Sequence, residues 1–226
     1  MRNRPPGSKL AISGVAGSMS LRFAVLGDSI AYGQGASAPG DTAAARLTTD
    51  LAAQGIDTDL RVFAVPGARS DSLAAQVQQA RSWRPQLALI IIGANDLTRL
   101  VPPQQAAAQL GAAVRQLRAH DVEVVVAPAP DLSVVPWVPP QMRPVVQAGS
   151  TVLHQAQTRA ALDAGAHVAD IGMTSAAGFA VNASLFSADR FHPSSAGYAI
   201  IASALAPTVR KAATAALGNV GDVNRA

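Results

Sequence analysis

The chain has 226 residues with a formal net charge of +4, 49% hydrophobic and 4% aromatic content and no cysteine; that length buries a full core as one domain, and the missing thiols exclude disulfides, a cysteine nucleophile and cysteine-ligated metal. No run approaches the roughly 18 uninterrupted apolar residues of a membrane span, so stable membrane insertion is not expected. Arg2, Arg4, Lys9 and Arg22 account for the whole excess of +4, and with a neutral body and so few aromatics for base stacking, nucleic acid is not an expected partner.

Residues 1–20 open with basic and small residues. Their apolar part, 10–17, is short and is broken by Ser13 and Gly14. The segment reads as a disordered leader, or as cloning residues ahead of a start near Met19, and this favours a cytoplasmic protein; were it a signal or leader, the protein would be secreted. Residues 21–217 read as the folded domain and 218–226 as a flexible tail.

Within the domain, short runs rich in Val, Ile and Leu recur at 21–26, 60–65, 87–92, 122–127 and 166–171. Each has the length and composition of a buried strand. Stretches with helical spacing lie between and after them, at 42–54, 70–81, 103–120, 145–164 and 194–217. Strand alternating with helix predicts a mainly parallel five-stranded sheet covered by helices on both faces, because parallel strands need connections long enough to hold a helix.

Ligands of such sheets bind beyond the carboxyl ends of the strands. The residues found there are Gly27-Asp28-Ser29, Pro66-Gly67-Ala68 and Gly93-Ala94-Asn95-Asp96. After the fourth strand comes APAPDLSVVPWVPPQMRP, whose prolines surround Trp137. Such a stiff segment suits a wall or lid of the cleft as well as an ordinary surface loop.

The turn at 27–35 lacks both G-x-G-x-x-G and a lysine that could reach a phosphate, which disfavours a nucleotide cofactor. Ser29 by itself favours a helix cap over a nucleophile, and Ala31 breaks the G-x-S-x-G pattern of a nucleophile elbow. A nucleophilic hydroxyl needs a base. Of the four histidines, His120 ends a helix, His154 lies within one and His167 precedes a strand. His192 stands in SADRFHPSSAGYAI, three residues after Asp189, where a carboxylate can accept the imidazole Nδ1–H and leave Nε2 free for a hydroxyl proton.

These blocks, Gly27-Asp28-Ser29, Gly67, Gly93-Ala94-Asn95-Asp96 and Asp189 to His192, occur in the order found in the GDSL, or SGNH, hydrolases. The chain resembles that family from about residue 21 to 200. The resemblance implies a flavodoxin-like three-layer α/β/α sandwich and serine-dependent hydrolysis of a small-molecule carboxylic ester without metal or cofactor. It makes Ser29 the nucleophile, His192 the general base and then acid, and Asp189 its orienting partner. The oxyanion hole would comprise the backbone N–H groups of Ser29 and Gly67 and the side-chain amide of Asn95. Two alternatives share the same motifs: an acyltransferase delivering the acyl group to a sugar or other alcohol, and a non-catalytic module that binds carbohydrate or acyl groups.

Two departures stand out. AVPGARSD lacks the asparagine often found ahead of its glycine in the family, and Arg190 replaces a common glycine. Asp28, Trp137 and Arg190 are candidate substrate-pocket residues; Asp28 and Asp96 are also suited to holding loops through backbone N–H groups.

Overall fold

The apolar runs assemble into a five-stranded, all-parallel sheet in the computed structural model, which describes residues 20–223, the side chains of 172–176 and 219–223 excepted. Residues 1–19 of the leader expected at 1–20, and the last residues of the expected tail, 224–226, lie outside the described residues. In chain order the elements are β1 (Leu21–Gly27), α1 (Ser29–Tyr32), α2 (Ala43–Ala53), β2 (Thr58–Val62), α3 (Leu73–Trp83), β3 (Leu87–Ile91), α4 (Ala94–Thr98), α5 (Pro103–Arg118), β4 (Glu123–Ala127), α6 (Arg143–Asp163), β5 (His167–Val168), α7 (Ile171–Val181) and α8 (Ser195–Val223). No described helix is long and apolar enough to cross a membrane.

Strand order is β2-β1-β3-β4-β5. The central strands β3 and β4 are buried at every position, which is why they read as unbroken apolar runs. Alternate side chains enter two separate cores. Phe23, Val25, Leu89 and Ile91 pack with Leu47 and Leu51 of α2 and with Leu205 and Val209 of α8. Leu26, Ile90, Val124 and Val126 pack with Val77 of α3, with Leu110 and Val114 of α5 and with Ala161 of α6. The result is the expected α/β sandwich.

Several boundaries differ from the sequence expectation. The edge strand β2 ends at Val62, yet Phe63 N–H still donates to Val25 O at 2.7 Å and Val65 N–H to Gly27 O at 3.1 Å, so the following residues continue alongside β1. β5 has two residues because Ile171 already begins α7, a helix whose sequence has no polar stripe to announce it. α1 and α4, of four and five residues, are too short to show a period. α8 continues to Val223, beyond the end expected at 217.

The chain leaves β1 toward β2 on one side, while β3 pairs on the other. That reversal opens a crevice between the carboxyl ends of β1 and β3, the place where ligands of doubly wound sheets bind.

Candidate active site

β1 ends at Gly27 with φ of +131°, and a Cβ there would lie 1.8 Å from the carbonyl oxygen of Ile91. Only glycine lets β1 and β3 approach so closely. Gln76, 3% exposed on α3, holds this strand end: Gly27 N–H donates to its Oε1 at 2.7 Å, and its Nε2 donates to Gly27 O at 2.9 Å. Asp28 follows as the N-cap of α1, accepting the Ile30 N–H at 2.9 Å. The capping role weighed for Ser29 therefore belongs to its neighbour. Ser29 is the first residue of α1, and its hydroxyl is left for another partner.

That partner comes from the far end of the chain. His192 Nε2 lies 3.0 Å from Ser29 Oγ, and His192 Nδ1 lies 2.6 Å from Asp189 Oδ2. An ionised carboxylate can only accept, so Nδ1 carries the proton and Nε2 is the acceptor for the serine hydroxyl. Asp189 Oδ1 also accepts the N–H groups of Phe191 and His192, each at 2.9 Å, and the Ser187 hydroxyl at 2.8 Å. Partial burial raises the Asp189 pKa, but the His192 imidazole, the two amides and Ser187 together outweigh it and hold the carboxyl well below the usual carboxylate range. Asp189 thus stays charged wherever His192 can act as a base.

The loop that carries the pair is closed on itself. Ser187 N–H donates to His192 O at 2.8 Å, and Phe186 and Pro193 form an antiparallel bridge. Ser194 caps α8, its Oγ accepting Gly197 N–H at 3.3 Å. Tyr198, fully buried in α8, donates its hydroxyl to Gln34 O at 2.7 Å, and Ser195 Oγ accepts Ser37 N–H at 2.9 Å. These bonds tie the histidine loop to the segment that follows the serine.

Gly67 lies on the loop after β2 and Asn95 in the first turn of α4, and the structure joins the two segments. Asn95 Nδ2 donates to Ala68 O at 3.0 Å, which leaves its second amide hydrogen free. Asp96, fully buried, accepts Ser70 N–H with both oxygens at 3.1 Å and the Ser70 hydroxyl at 2.9 Å. Asp96 therefore has the loop-holding position its sequence context suggested. Gly67 has φ of +81° and open space where a side chain would stand. The amides of Ser29 and Gly67 donate to no acceptor among the described residues, so both are available to a developing negative charge.

The three candidate pocket residues divide. Asp28 is a correction: at 1% exposure its carboxyl is committed to the Ile30 amide and forms no part of the apolar pocket wall. Burial, helped by the charge of Asp96 and opposed by the amides of Ile30, Gly93 and Ala31, pushes its pKa up to about 7. Trp137 is half exposed and stacks on Phe191, with ring centroids 5.6 Å apart. Arg190 is exposed, outside that wall, and left-handed at φ of +59°.

Sequence reasoning missed Gln76, although a signal was present: it sits on the same helical face as the buried Leu73, Val77 and Ala80, where a glutamine needs a partner. It also missed the apolar pocket beside the Ser29–His192 contact, lined by Ile30, Leu132, Phe179, Phe186 and Phe191 among others. Those residues are scattered over five segments, and no local pattern links them.

Residues 25–200 match the family model of the GDSL-like Lipase/Acylhydrolase family. A GDSL-like esterase of Mycobacterium tuberculosis is 35% identical over 198 residues, covering 86% of this chain and 63% of that protein, so the chain spans somewhat less than two thirds of this relative's length. Among solved structures, the psychrotrophic esterase EstA from Pseudoalteromonas sp. superposes with a TM-score of 0.66 at 21% identity, over 84% of this chain and 97% of its own. The lipase/acylhydrolase from Enterococcus faecalis gives 0.67 at 20% identity, over 84% and 96%. At such identities the structural likeness speaks for the fold alone. The family match runs from the Ser29 turn through the Asp189–His192 loop, and by it this chain belongs to the GDSL-like lipase/acylhydrolase family.

Proposed function

We propose that the protein hydrolyses small-molecule carboxylic esters through an acyl-enzyme on Ser29. The observation that carries this reading is the unbroken hydrogen-bond chain from Asp189 through His192 to Ser29 at the sheet's switch point. Ser29 Oγ attacks the ester carbonyl as His192 Nε2 takes its proton, and Asp189 holds the imidazole in the required tautomer and stabilises its charged form. The oxyanion is stabilised by the N–H groups of Ser29 and Gly67 and by the free Asn95 amide hydrogen. His192 then protonates the departing alkoxide, and the ester bond breaks. Water enters, loses a proton to His192 and releases the acid, restoring Ser29. No step calls on a metal or an organic cofactor.

The test is Ser29→Ala assayed on p-nitrophenyl acetate, with circular dichroism to show that the variant is folded. A fall in kcat of at least about 10⁴-fold is expected for loss of the nucleophile. Undiminished turnover by the folded variant would sink the assignment.

A further inference from the structure

Gly27 is held on its β2 side by a side chain rather than by the sheet alone. Phe63 N–H donates to Val25 O and Val65 N–H to Gly27 O, and in that parallel register the Gly27 N–H would go to the carbonyl of Phe63. It goes instead to Gln76 Oε1 at 2.7 Å, and Gln76 Nε2 returns a bond to Gly27 O at 2.9 Å. One primary amide thus pairs with both polar groups of one backbone residue. Gln76 does so from α3, 49 positions along the chain, at 3% exposure and among the buried Leu73, Val77 and Ala80. An amide buried there is costly unless both of its groups are bonded, and Gly27 bonds both.

Gly27 opens the turn that carries the reacting serine. The closeness of Ile91 O demands glycine at this position, yet glycine is also the residue whose backbone has the most freedom. The peptide joining Gly27 to Asp28 is therefore fixed from outside: Gly27 O by Gln76 and Val65, and Asp28 N–H by Ile91 O at 3.1 Å. Asp28 in turn caps Ile30 N–H at 2.9 Å. Ser29 lies between these anchored groups, its N–H without an acceptor among the described residues and its Oγ 3.0 Å from His192 Nε2. A rotation of the Gly27–Asp28 peptide would turn the oxyanion donor and the hydroxyl together, and a misplacement of about 1 Å can cost about 10²-fold in rate.

We propose that Gln76 is a positioning residue for the reaction: acting through Gly27, its amide fixes the direction of the Ser29 N–H and hydroxyl before substrate arrives. The proposal rests on the reading of Ser29 as the nucleophile given above. Both bonds of Gln76 are to Gly27, so its effect on the chemistry passes through the backbone.

The experiment uses two variants. Gln76→Met keeps the length of the side chain and removes the amide. On p-nitrophenyl acetate, well below its melting temperature, it should lose about 10- to 100-fold in kcat with KM within about threefold of the wild type. Inactivation by a p-nitrophenyl phosphonate ester, which reports the attack step, should slow by the same factor. Gln76→Glu tests the need for both bonds, because a protonated carboxyl can accept the Gly27 N–H and donate to Gly27 O, whereas a carboxylate opposes that carbonyl. The Asp28 carboxyl, buried and next in the chain to Gly27, favours the protonated form. Relative to the wild type at the same pH, kcat of Gln76→Glu should be nearest to full at about pH 5 and fall away toward about pH 8. This second variant decides the matter if Gln76→Met does not fold. A folded Gln76→Met whose kcat and inactivation rate stay within about threefold of the wild type would overturn the proposal. So would a Gln76→Glu protein whose kcat relative to the wild type does not change with pH. Failure of the nucleophile reading looks different: a wild-type protein that the phosphonate does not label at Ser29, with a Ser29→Ala variant that keeps its turnover, would remove that reading and this role with it.

Discussion

Replacing Asp28 by asparagine should stabilise the protein at pH 8 far more than at pH 5. The Asp28 carboxyl is 1% exposed, its Oδ2 meets no donor in good hydrogen-bond geometry among the described residues although the Gly93 and Ala31 amides lie near the carboxyl, and the charged group nearest in effect is another buried carboxyl, Asp96. Its pKa is about 7 in the fold against an ordinary 3.8. Between those values the native state binds the proton that the unfolded chain has released, so stability falls as pH rises, by about 4 kcal/mol in total, of which roughly 2 to 3 kcal/mol falls between pH 5 and pH 8. Asparagine keeps an acceptor for the Ile30 N–H and carries no charge at either pH. Groups that do not feel the Asp28 charge titrate alike in both proteins and cancel in the comparison; Asp96 and Tyr198 do feel it, so the difference reports Asp28 together with its coupling to these two neighbours. Thermal melts of the two proteins at both pH values give the answer: the gap in Tm should widen by about 5–10 °C on going to pH 8, for a domain of this size. An equal gap at both pH values would refute the assignment of a buried, proton-retaining carboxyl beside the serine.

Asn95→Ala removes the side-chain donor proposed for the oxyanion and its tie to Ala68; kcat on p-nitrophenyl acetate should fall about 10²–10³-fold with KM little altered, as steady-state kinetics will show. Gln76→Leu strips the buried Gly27 N–H of its acceptor while Val65 N–H still serves the carbonyl; a loss of about 1–3 kcal/mol is expected from urea denaturation.

How much was legible from residue order depends on the range of the forces involved. The buried strands announced themselves because residues such as Leu89 to Ile91 are apolar on both faces, and the long helices because Leu47 and Leu51 or Leu110, Val114 and Leu117 repeat at the helical period. α7 has no polar stripe, and α1 and α4 are one turn long, so the same criterion passed over all three. Asp28 misled in the other direction, because a carboxylate next to a serine looks accessible until its burial is known.

The sequence by itself determined the alternation of strands and helices, hence the parallel sheet, and the strand-end position of Ser29, Gly67 and Asn95, because a strand's burial and a turn's glycine are local matters of hydropathy and backbone freedom. It also determined the Asp189–His192 pair, which three residues of chain bring within reach. Tertiary structure alone decided that Ser29 meets His192 across 163 positions, that Gln76 clamps the end of β1, and that Phe179, Phe186, Phe191 and Ile30 surround one slot. Those contacts are selected by the packing of the whole sheet and its two helical layers, and no short stretch of residues encodes them.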